Sequence, residues 1–167
     1  MPSGATTIPS RTPARRSTCP LKKHDIAEYF DDLYKHHFQT NNINLLDKIK
    51  KINIMIAKHE EKIGNKFLEF IESEKKIKLI GKKKIENKNR APTISFTLEG
   101  ISSKKVSESL VKEKIALRND NFYAWRCLQA LGIDTEDGVV RVSMVHYNSM
   151  DDVNKLIRSF EKSKILN

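Results

Sequence analysis

The sequence predicts an α+β fold in which a long helix precedes a small sheet covered by helices. Two observations support this prediction. Apolar residues recur at helical spacing over about 44–74. From residue 76 onward, short alternating stretches and helical stretches follow in the order β, β, α, β, α, β, α. The 167 residues are enough for one ordinary domain and few for two.

The N-terminal part is predicted to be a tail followed by helices. Residues 1–23 carry four prolines and no acidic residue, which indicates a disordered tail. Residues 24–74 are predicted to be helical, with a first helix at 25–38 and the long connecting helix at about 44–74. The apolar stripe of the long helix consists of Leu45, Ile49, Ile52, Ile56, Ile63, Phe67, Phe70 and Ile71.

Residues 75–167 are predicted to form the α+β domain. Strands are expected at 76–81 and 91–100, where apolar and polar residues alternate. Ser102 or Ser103 can accept a hydrogen bond at the start of the next helix. That helix is expected to bury Val106, Leu110 and Val111.

The second half of this domain continues the alternation. A short strand is predicted at 115–117, a helix at 121–132 that stops at a glycine, and another strand at 139–144. Ser149 is expected to cap the final helix, with an acidic pair in its first turn where the helix dipole favours anions. Tyr147 and Asn148 are expected to fix the turn before it.

The net charge of +10 is unevenly distributed. Residues 1–90 hold 20 Lys and Arg against 11 Asp and Glu, whereas residues 91–167 hold 11 against 10. A basic half can bind nucleic acid, but no zinc spacing, aromatic RNA-binding motif or glycine-rich KH loop accompanies the lysines. Nucleic acid is therefore not the expected partner.

Cysteine usage and hydropathy favour a cytoplasmic protein. Cys19 and Cys127 are far apart and form no CxxC motif, so no disulfide scaffold is expected. No apolar run approaches the ~20 residues that a membrane span needs. The histidines are scattered, and His36 and His37 lack a third ligand at metal spacing, so no metal site is expected.

Arg141 is the most informative residue because it interrupts an otherwise apolar strand. The sequence there is VVRVSMVHYNSMDDVNKLI. With a period of two, Arg141 shares a face with Val139 and Ser143, opposite Val140 and Val142. The pattern by itself favours a strand arginine on the more polar face, either exposed to solvent or paired with a structural acid.

The string R-V-S-x-x-x-Y-N-S-x-x-D-V, from Arg141 to Val153, resembles the C-terminal signature of the class V aminotransferase superfamily of pyridoxal-phosphate enzymes, which includes the cysteine desulfurases. TISFTLEGIS is similar to the first small-domain strand and turn of that superfamily, and LQALGI with GVVRVSMVHYN is closest to the cysteine desulfurase-like branch. The resemblance covers about 44–167. It implies the small C-terminal domain of a fold-type I enzyme, with a short, mainly antiparallel sheet.

The resemblance also implies roles for three residues. Arg141 would bind the α-carboxylate of the amino-acid substrate, because a guanidinium donates two parallel hydrogen bonds to a carboxylate. RNDNFYAW occupies the place of the desulfurase active-site loop. Asn121 and Tyr123 in that loop would contact substrate. His146, at the end of the strand, could lie near the same pocket.

The chain departs from the family pattern in two ways. In the family, the Schiff-base lysine, the aspartate and the ring-stacking histidine lie in a large domain that precedes this part. Too few residues precede the long helix here to form such a domain. Aligned on Arg118, Tyr123 stands where the desulfurases carry a nucleophilic cysteine, and Cys127 is expected to be buried and structural. Whether the chain is an enzyme is therefore uncertain.

These observations favour a truncated or split class V enzyme that supplies the substrate-carboxylate side of the active site and is inactive alone. Pyridoxal phosphate would serve the intact parent and would not bind this chain by itself. The parent would be a homodimer, or this chain would pair with a separate chain bearing the large domain. The alternative is a stand-alone basic α+β module that binds RNA or another polyanion.

Overall fold

The computed structural model describes residues 23–38, 43–86, 89–163 and 165–166, so the predicted tail lies outside the described residues apart from Lys23. The elements in chain order are α1 (Lys23–His37), α2 (Leu45–Ser73), β1 (Ile77–Ile80), β2 (Thr93–Leu98), α3 (Ser103–Lys112), β3 (Arg118–Asp120), α4 (Trp125–Ala130), β4 (Val139–Ser143) and α5 (Met150–Lys162). The chain divides into two compact units, Met1–Ile49 and Lys50–Asn167. None of the described helices is both long and apolar enough to cross a membrane.

In the first unit, a cluster of charges joins α1 to the first turns of α2. The carboxylate of Asp31 pairs with Lys35, 2.7 Å away, and also with Lys48. Hydrogen bonds from Lys35 and Lys48 hold the pKa of Asp31 below its ordinary value. The ammonium of Lys48 also lies 5.5 Å from the centroid of the Tyr34 ring, a cation–π distance.

The second unit contains a four-stranded antiparallel sheet in the order β1-β2-β4-β3. Leu79 pairs with Phe96, and Phe96 pairs in turn with Val140. Antiparallel partners point to the same face, so these three apolar side chains line one side of the sheet. The sheet and its covering helices confirm the predicted α+β class.

The core lies between that face and three helices. Side chains from the second half of α2, from α3 and from α5 pack on the buried strand residues in one cluster. At its centre the Phe67 ring lies 6.1 Å from both the Phe96 and the Phe160 rings. The helices therefore cover one face of the sheet, since each contributes its apolar stripe to the same cluster.

The face opposite the core bears a different set of side chains. These are Lys78 and Ile80 of β1, Thr93, Ser95 and Thr97 of β2, Arg118 and Asp120 of β3, and Val139, Arg141 and Ser143 of β4. We call it the polar face. Its position follows from the period of two in each strand, because the core residues occupy the alternate positions.

The predicted helix ends agree with the structure. Ser102 caps α3 by accepting a hydrogen bond from the backbone N–H of Lys105, and Ser149 caps α5 in a reciprocal capping box with Asp152. The backbone N–H of Ser149 and the hydrogen bond from its hydroxyl lower the pKa of Asp152. Gly132 follows α4 with a φ of +67°, as expected for a C′ glycine.

Two predicted elements were placed wrongly. The strand predicted at 115–117 is displaced to β3, because the segment after α3 first completes the helix C-terminus with hydrogen bonds from Lys114 and Ile115. The helix predicted at 121–132 shrinks to α4, because Phe122 and Tyr123 adopt positive φ angles of 51° and 61°. Val111, expected in the core, is 58% exposed.

Candidate carboxylate-binding site

Arg141 lies near the middle of the sheet on its polar face. On β4 it pairs with Ser95 of β2 on one side and with Arg118 of β3 on the other. Its flanking residues Val140 and Val142 point into the core. The face predicted from the period of two is therefore confirmed, and Arg141 stands on a rigid strand between two neighbours.

The guanidinium of Arg141 stacks on an aromatic ring and keeps a donor free. Its central carbon lies 3.8 Å from the centroid of the Phe122 ring. Its Nε is buried and has no hydrogen-bond partner among the residues that the structure describes. An unsatisfied buried donor costs about 1–3 kcal/mol, so the arrangement favours a ligand that brings an acceptor.

Phe122 reaches Arg141 through a tight turn between β3 and α4. The backbone N–H of Ala124 donates to the carbonyl oxygen of Asn121 at 2.9 Å. Both central residues have positive φ, the pattern of a type I′ turn. The side-chain oxygen of Asn121 accepts from the backbone N–H of Tyr123 at 3.0 Å and closes the turn further. Left-handed non-glycine residues cost about 1–3 kcal/mol each, so the surroundings must enforce this shape.

The segment before β4 supplies that constraint. Gly138 has a φ of +69°, and a Cβ there would lie 2.3 Å from the carbonyl carbon of Asp120. The backbones therefore approach so closely that only glycine fits. In addition, the Asn121 side-chain amide donates to the carbonyl oxygen of Thr135 at 3.3 Å. These contacts hold the first end of the Phe122 turn against the segment before β4.

A further set of hydrogen bonds ties this region to α3. The carboxylate of Asp137 accepts from the backbone N–H of Ser103 at 2.9 and 3.0 Å. The Ser103 hydroxyl donates to the carbonyl oxygen of Asp137 at 2.5 Å. Asn119 of β3 donates from its side chain to that hydroxyl at 3.3 Å. The two strands that carry Arg118 and Arg141 are thus fixed at one end.

The three predicted site residues lie on adjoining elements. Arg141 is on β4, whereas Asn121 and Tyr123 bracket the phenyl ring that stacks on it. The Asn121 amide oxygen accepts a hydrogen bond inside the loop from Tyr123, and its nitrogen donates to Thr135 in the segment before β4. Tyr123 is 97% exposed at the tip of the turn. Their contact with substrate stays a prediction.

Cys127 was expected to be buried, and this prediction was wrong because the thiol is exposed. The reason is the shortness of α4, which spans six residues and buries Leu128 alone. Neighbouring helical positions point about 100° apart, so the residue beside Leu128 faces outward. Within the described residues, no group of three or more His, Cys, Asp or Glu could hold a metal ion.

The turn after β4 was predicted correctly for Asn148. Its side-chain oxygen accepts from the backbone N–H of Val145 at 2.9 Å, and its own N–H donates to the Val145 carbonyl oxygen at 2.8 Å. His59 of α2 adds a contact that the sequence did not indicate, since its Nε2 lies 2.7 Å from the Asn148 carbonyl oxygen. The ring of half-buried His146 lies 5.5 Å from that of exposed Tyr147.

Two residues of the site were missed. Phe122 was assigned to a helix, and Arg118 served only to align the loop. Arg118 is an exposed residue whose guanidinium carbon lies 5.6 Å from the centroid of the Phe122 ring. The available signal was that Arg118 begins RNDNFYAW, the stretch that resembles an active-site loop.

Comparison with known proteins now identifies the family. A family model described as aminotransferase class-V matches residues 40–156. The chain belongs to the class V aminotransferase family. An aminotransferase-like protein of Gibberella zeae, FGM3, is 36% identical over 107 residues, which is 64% of this chain and 27% of that protein.

Solved structures of related enzymes share the fold. A cysteine desulfurase from Thermococcus onnurineus superposes with a TM-score of 0.57 at 25% identity, covering 71% of this chain and 29% of that one. A NifS-like protein from Rickettsia africae gives 0.54 at 16% identity, covering 74% and 35%. The resemblance to a class V aminotransferase or cysteine desulfurase-like protein is confirmed. This chain spans about a third or less of the length of these relatives.

Membership in this family implies pyridoxal phosphate in the parent enzyme. The residues around Arg141 do not fit that cofactor. Phe122, Ser95 and Arg118 supply a ring, a hydroxyl and a second guanidinium, but this set includes no lysine that could form a Schiff base. The same set suits the carboxylate of a substrate.

Proposed function

We propose that this chain supplies the substrate-carboxylate side of the active site in a class V aminotransferase or cysteine desulfurase-like enzyme. Arg141 binds the α-carboxylate of an amino acid, and Asn121 and Tyr123 form part of the loop that contacts the substrate. The observation that carries this proposal is the buried, unpartnered Nε of Arg141 on a guanidinium stacked against Phe122.

The chemistry of the group explains why this arrangement suits a carboxylate. A guanidinium donates to both carboxylate oxygens through two parallel N–H groups, which fixes the orientation of the ligand as well as its position. Phe122 covers one guanidinium face and leaves the edge with the N–H groups for hydrogen bonding. A strand that is paired on both sides holds this edge in place before the ligand arrives.

We also propose that the cofactor is held elsewhere in the enzyme. Pyridoxal phosphate would be bound by a part of the enzyme corresponding to the large domain of the relatives, in the same polypeptide or in a separate chain. Tyr123 and Trp125, which are 97% and 43% exposed beside the site, offer apolar surface for such a partner. We propose that the complete enzyme, with its large domain, is a cytoplasmic homodimer. This chain alone is then expected to catalyse neither transamination nor sulfur release.

The stand-alone polyanion-binding module remains the alternative. It rests on the excess of Lys and Arg in residues 1–90. A salt-sensitive complex with a generic RNA would support it. Binding of a small carboxylate at Arg141 would favour the enzyme proposal instead.

A titration followed by nuclear magnetic resonance tests the carboxylate site. The Nε–H signal of Arg141 in the 15N-labelled chain would be followed while L-alanine is added, since this ligand offers one carboxylate and a minimal side chain. We expect this signal to move, and Arg141→Lys to weaken binding by about tenfold because the bidentate geometry is lost. Arg158→Lys on the exposed side of α5 is the matched control. An Arg141 Nε–H signal that does not shift when L-alanine is added would contradict the proposal.

A further inference from the structure

The candidate site contains a second guanidinium that one carboxylate leaves unused. Arg118 and Arg141 are directly opposed on β3 and β4, so both side chains leave the polar face side by side. Their guanidinium carbons lie 5.6 and 3.8 Å from the centroid of the same Phe122 ring. Two positive charges therefore share one aromatic platform.

Such a pair is unfavourable without negative charge nearby. Like charges directly opposite each other on neighbouring strands destabilise a sheet. Among the described residues, no ion pair joins either arginine to a carboxylate. The π face of Phe122 attracts both cations, but a ring carries no net charge. Asp120 lies on the same face, but its carboxylate accepts from the backbone N–H of Asn121 at 2.7 Å and forms no ion pair with either arginine in the described chain. The two guanidinium groups thus favour a ligand with two anionic groups.

The two arginines differ in burial, which assigns them different roles. Arg141 is half-buried in the middle of the sheet, whereas Arg118 is exposed on the edge strand. A bidentate pair with Arg141 uses both oxygens of one carboxylate. Arg118 then remains available for a group farther out on the ligand. The Ser95 hydroxyl lies on the opposite side of Arg141 in the same row of the sheet and offers one more donor.

We propose that this site selects an amino acid with an acidic side chain, with Arg141 holding the α-carboxylate and Arg118 holding the side-chain anion. This inference rests on the proposed function, since it assumes that Arg141 binds the α-carboxylate. Because it holds the side-chain anion, Arg118 is a specificity-determining residue. Its effect depends on the charge of the ligand side chain.

L-Glutamate and L-glutamine test the inference because they have nearly the same shape and differ in one charge. Each would be titrated into the 15N-labelled chain while the Nε–H signals of both arginines are followed. We expect L-glutamate to bind on the order of tenfold more tightly, the effect of one charge-assisted hydrogen bond. Arg118→Gln should abolish this preference by weakening L-glutamate binding more than L-glutamine binding. Arg158→Gln is the control for loss of a surface charge.

Other outcomes would overturn the inference, and they separate it from the proposed function. Equal affinities with a response at Arg141 would remove the acidic-side-chain preference and leave the carboxylate site intact. Equal weakening of both ligands by Arg118→Gln would mean that both arginines hold one carboxylate. Absence of binding by either ligand would reject the carboxylate site as well. The amide spectrum of each variant shows whether it is folded.

Discussion

The centroid of the Phe122 ring lies 3.8 Å from the guanidinium carbon of Arg141, although Phe122 lies in the turn between β3 and α4 and Arg141 lies on β4. The contact covers one face of the cation and leaves the buried Nε without a partner in the described chain. The turn with two left-handed residues places the ring on this cation.

Replacing Phe122 by leucine is expected to loosen Arg141. The substitution keeps an apolar side chain but removes the cation–π attraction, which is worth about 0.5–1 kcal/mol at a partly exposed site. Hydrogen exchange at the Arg141 Nε–H should become faster, and the free energy of unfolding should fall by about that amount. Phe122→Tyr, which keeps the ring, is the control. Identical behaviour of the two variants would argue against a role for the ring.

Gly138 and Gly132 form a matched pair for testing the close approach of the loop to β4. Their φ angles are +69° and +67°, but a Cβ would collide with Asp120 only at Gly138 and would meet nothing within 4 Å at Gly132. Alanine at either position should cost about 1 kcal/mol for the backbone conformation. Gly138→Ala should lower the free energy of unfolding by about 1–3 kcal/mol beyond that, because backbone atoms must move. Chemical denaturation measures both, and equal losses would contradict the predicted clash.

Lys114 is a site where stability can be raised. It occupies the C′ position after α3 with a φ of +59°, and its N–H donates to the carbonyl oxygen of Val111 at 2.9 Å. Gly132 holds the equivalent position after α4. Lys114→Gly is therefore expected to raise the free energy of unfolding by up to about 1 kcal/mol. Lys112→Gly, inside the last turn, should instead destabilise the chain.

The capping box of α5 predicts a dependence on pH. Hydrogen bonds from Ser149 keep the pKa of Asp152 below its ordinary value of 3.8. The carboxylate therefore stabilises the folded chain above pH 3.8, and this contribution is lost as the pH falls through the lowered folded pKa. Asp152→Ala should be less stable than the parent at pH 7, and the difference should shrink below pH 3.8.

Asp151→Ala is the control for that measurement, because it removes the same charge from the same helical turn without removing the capping hydrogen bond. Thermal unfolding at several pH values would compare the two variants. Equal destabilisation by both at pH 7 would mean that the helix dipole alone accounts for the effect.

The sheet and the position of Arg141 were predictable from the sequence because they depend on local periodicity. Val140 and Val142 alternate with Arg141, and a period of two leaves one assignment of faces. The caps at Ser102 and Ser149 were predictable for the same reason, since a cap is a local interaction between residues three positions apart.

The Phe122 loop was not predictable in this way. Its apolar residues continue the spacing of α4, so the pattern favoured one longer helix. The left-handed turn is imposed by Gly138 and Thr135, which approach from a later part of the chain. The exposure of Cys127 follows from the same shortening of the helix. Tertiary contacts here outweigh the local helix preference of the segment.

Mapping the lysines that react with pyridoxal phosphate tests most directly whether the cofactor site lies outside this chain. The purified chain would be titrated with pyridoxal phosphate, reduced with borohydride and digested, and each labelled lysine would be mapped. If the chain is the substrate-carboxylate side of the enzyme, labelling should be weak and spread over several surface lysines. A single lysine labelled to stoichiometry would show that a cofactor site exists in this chain and would contradict the account.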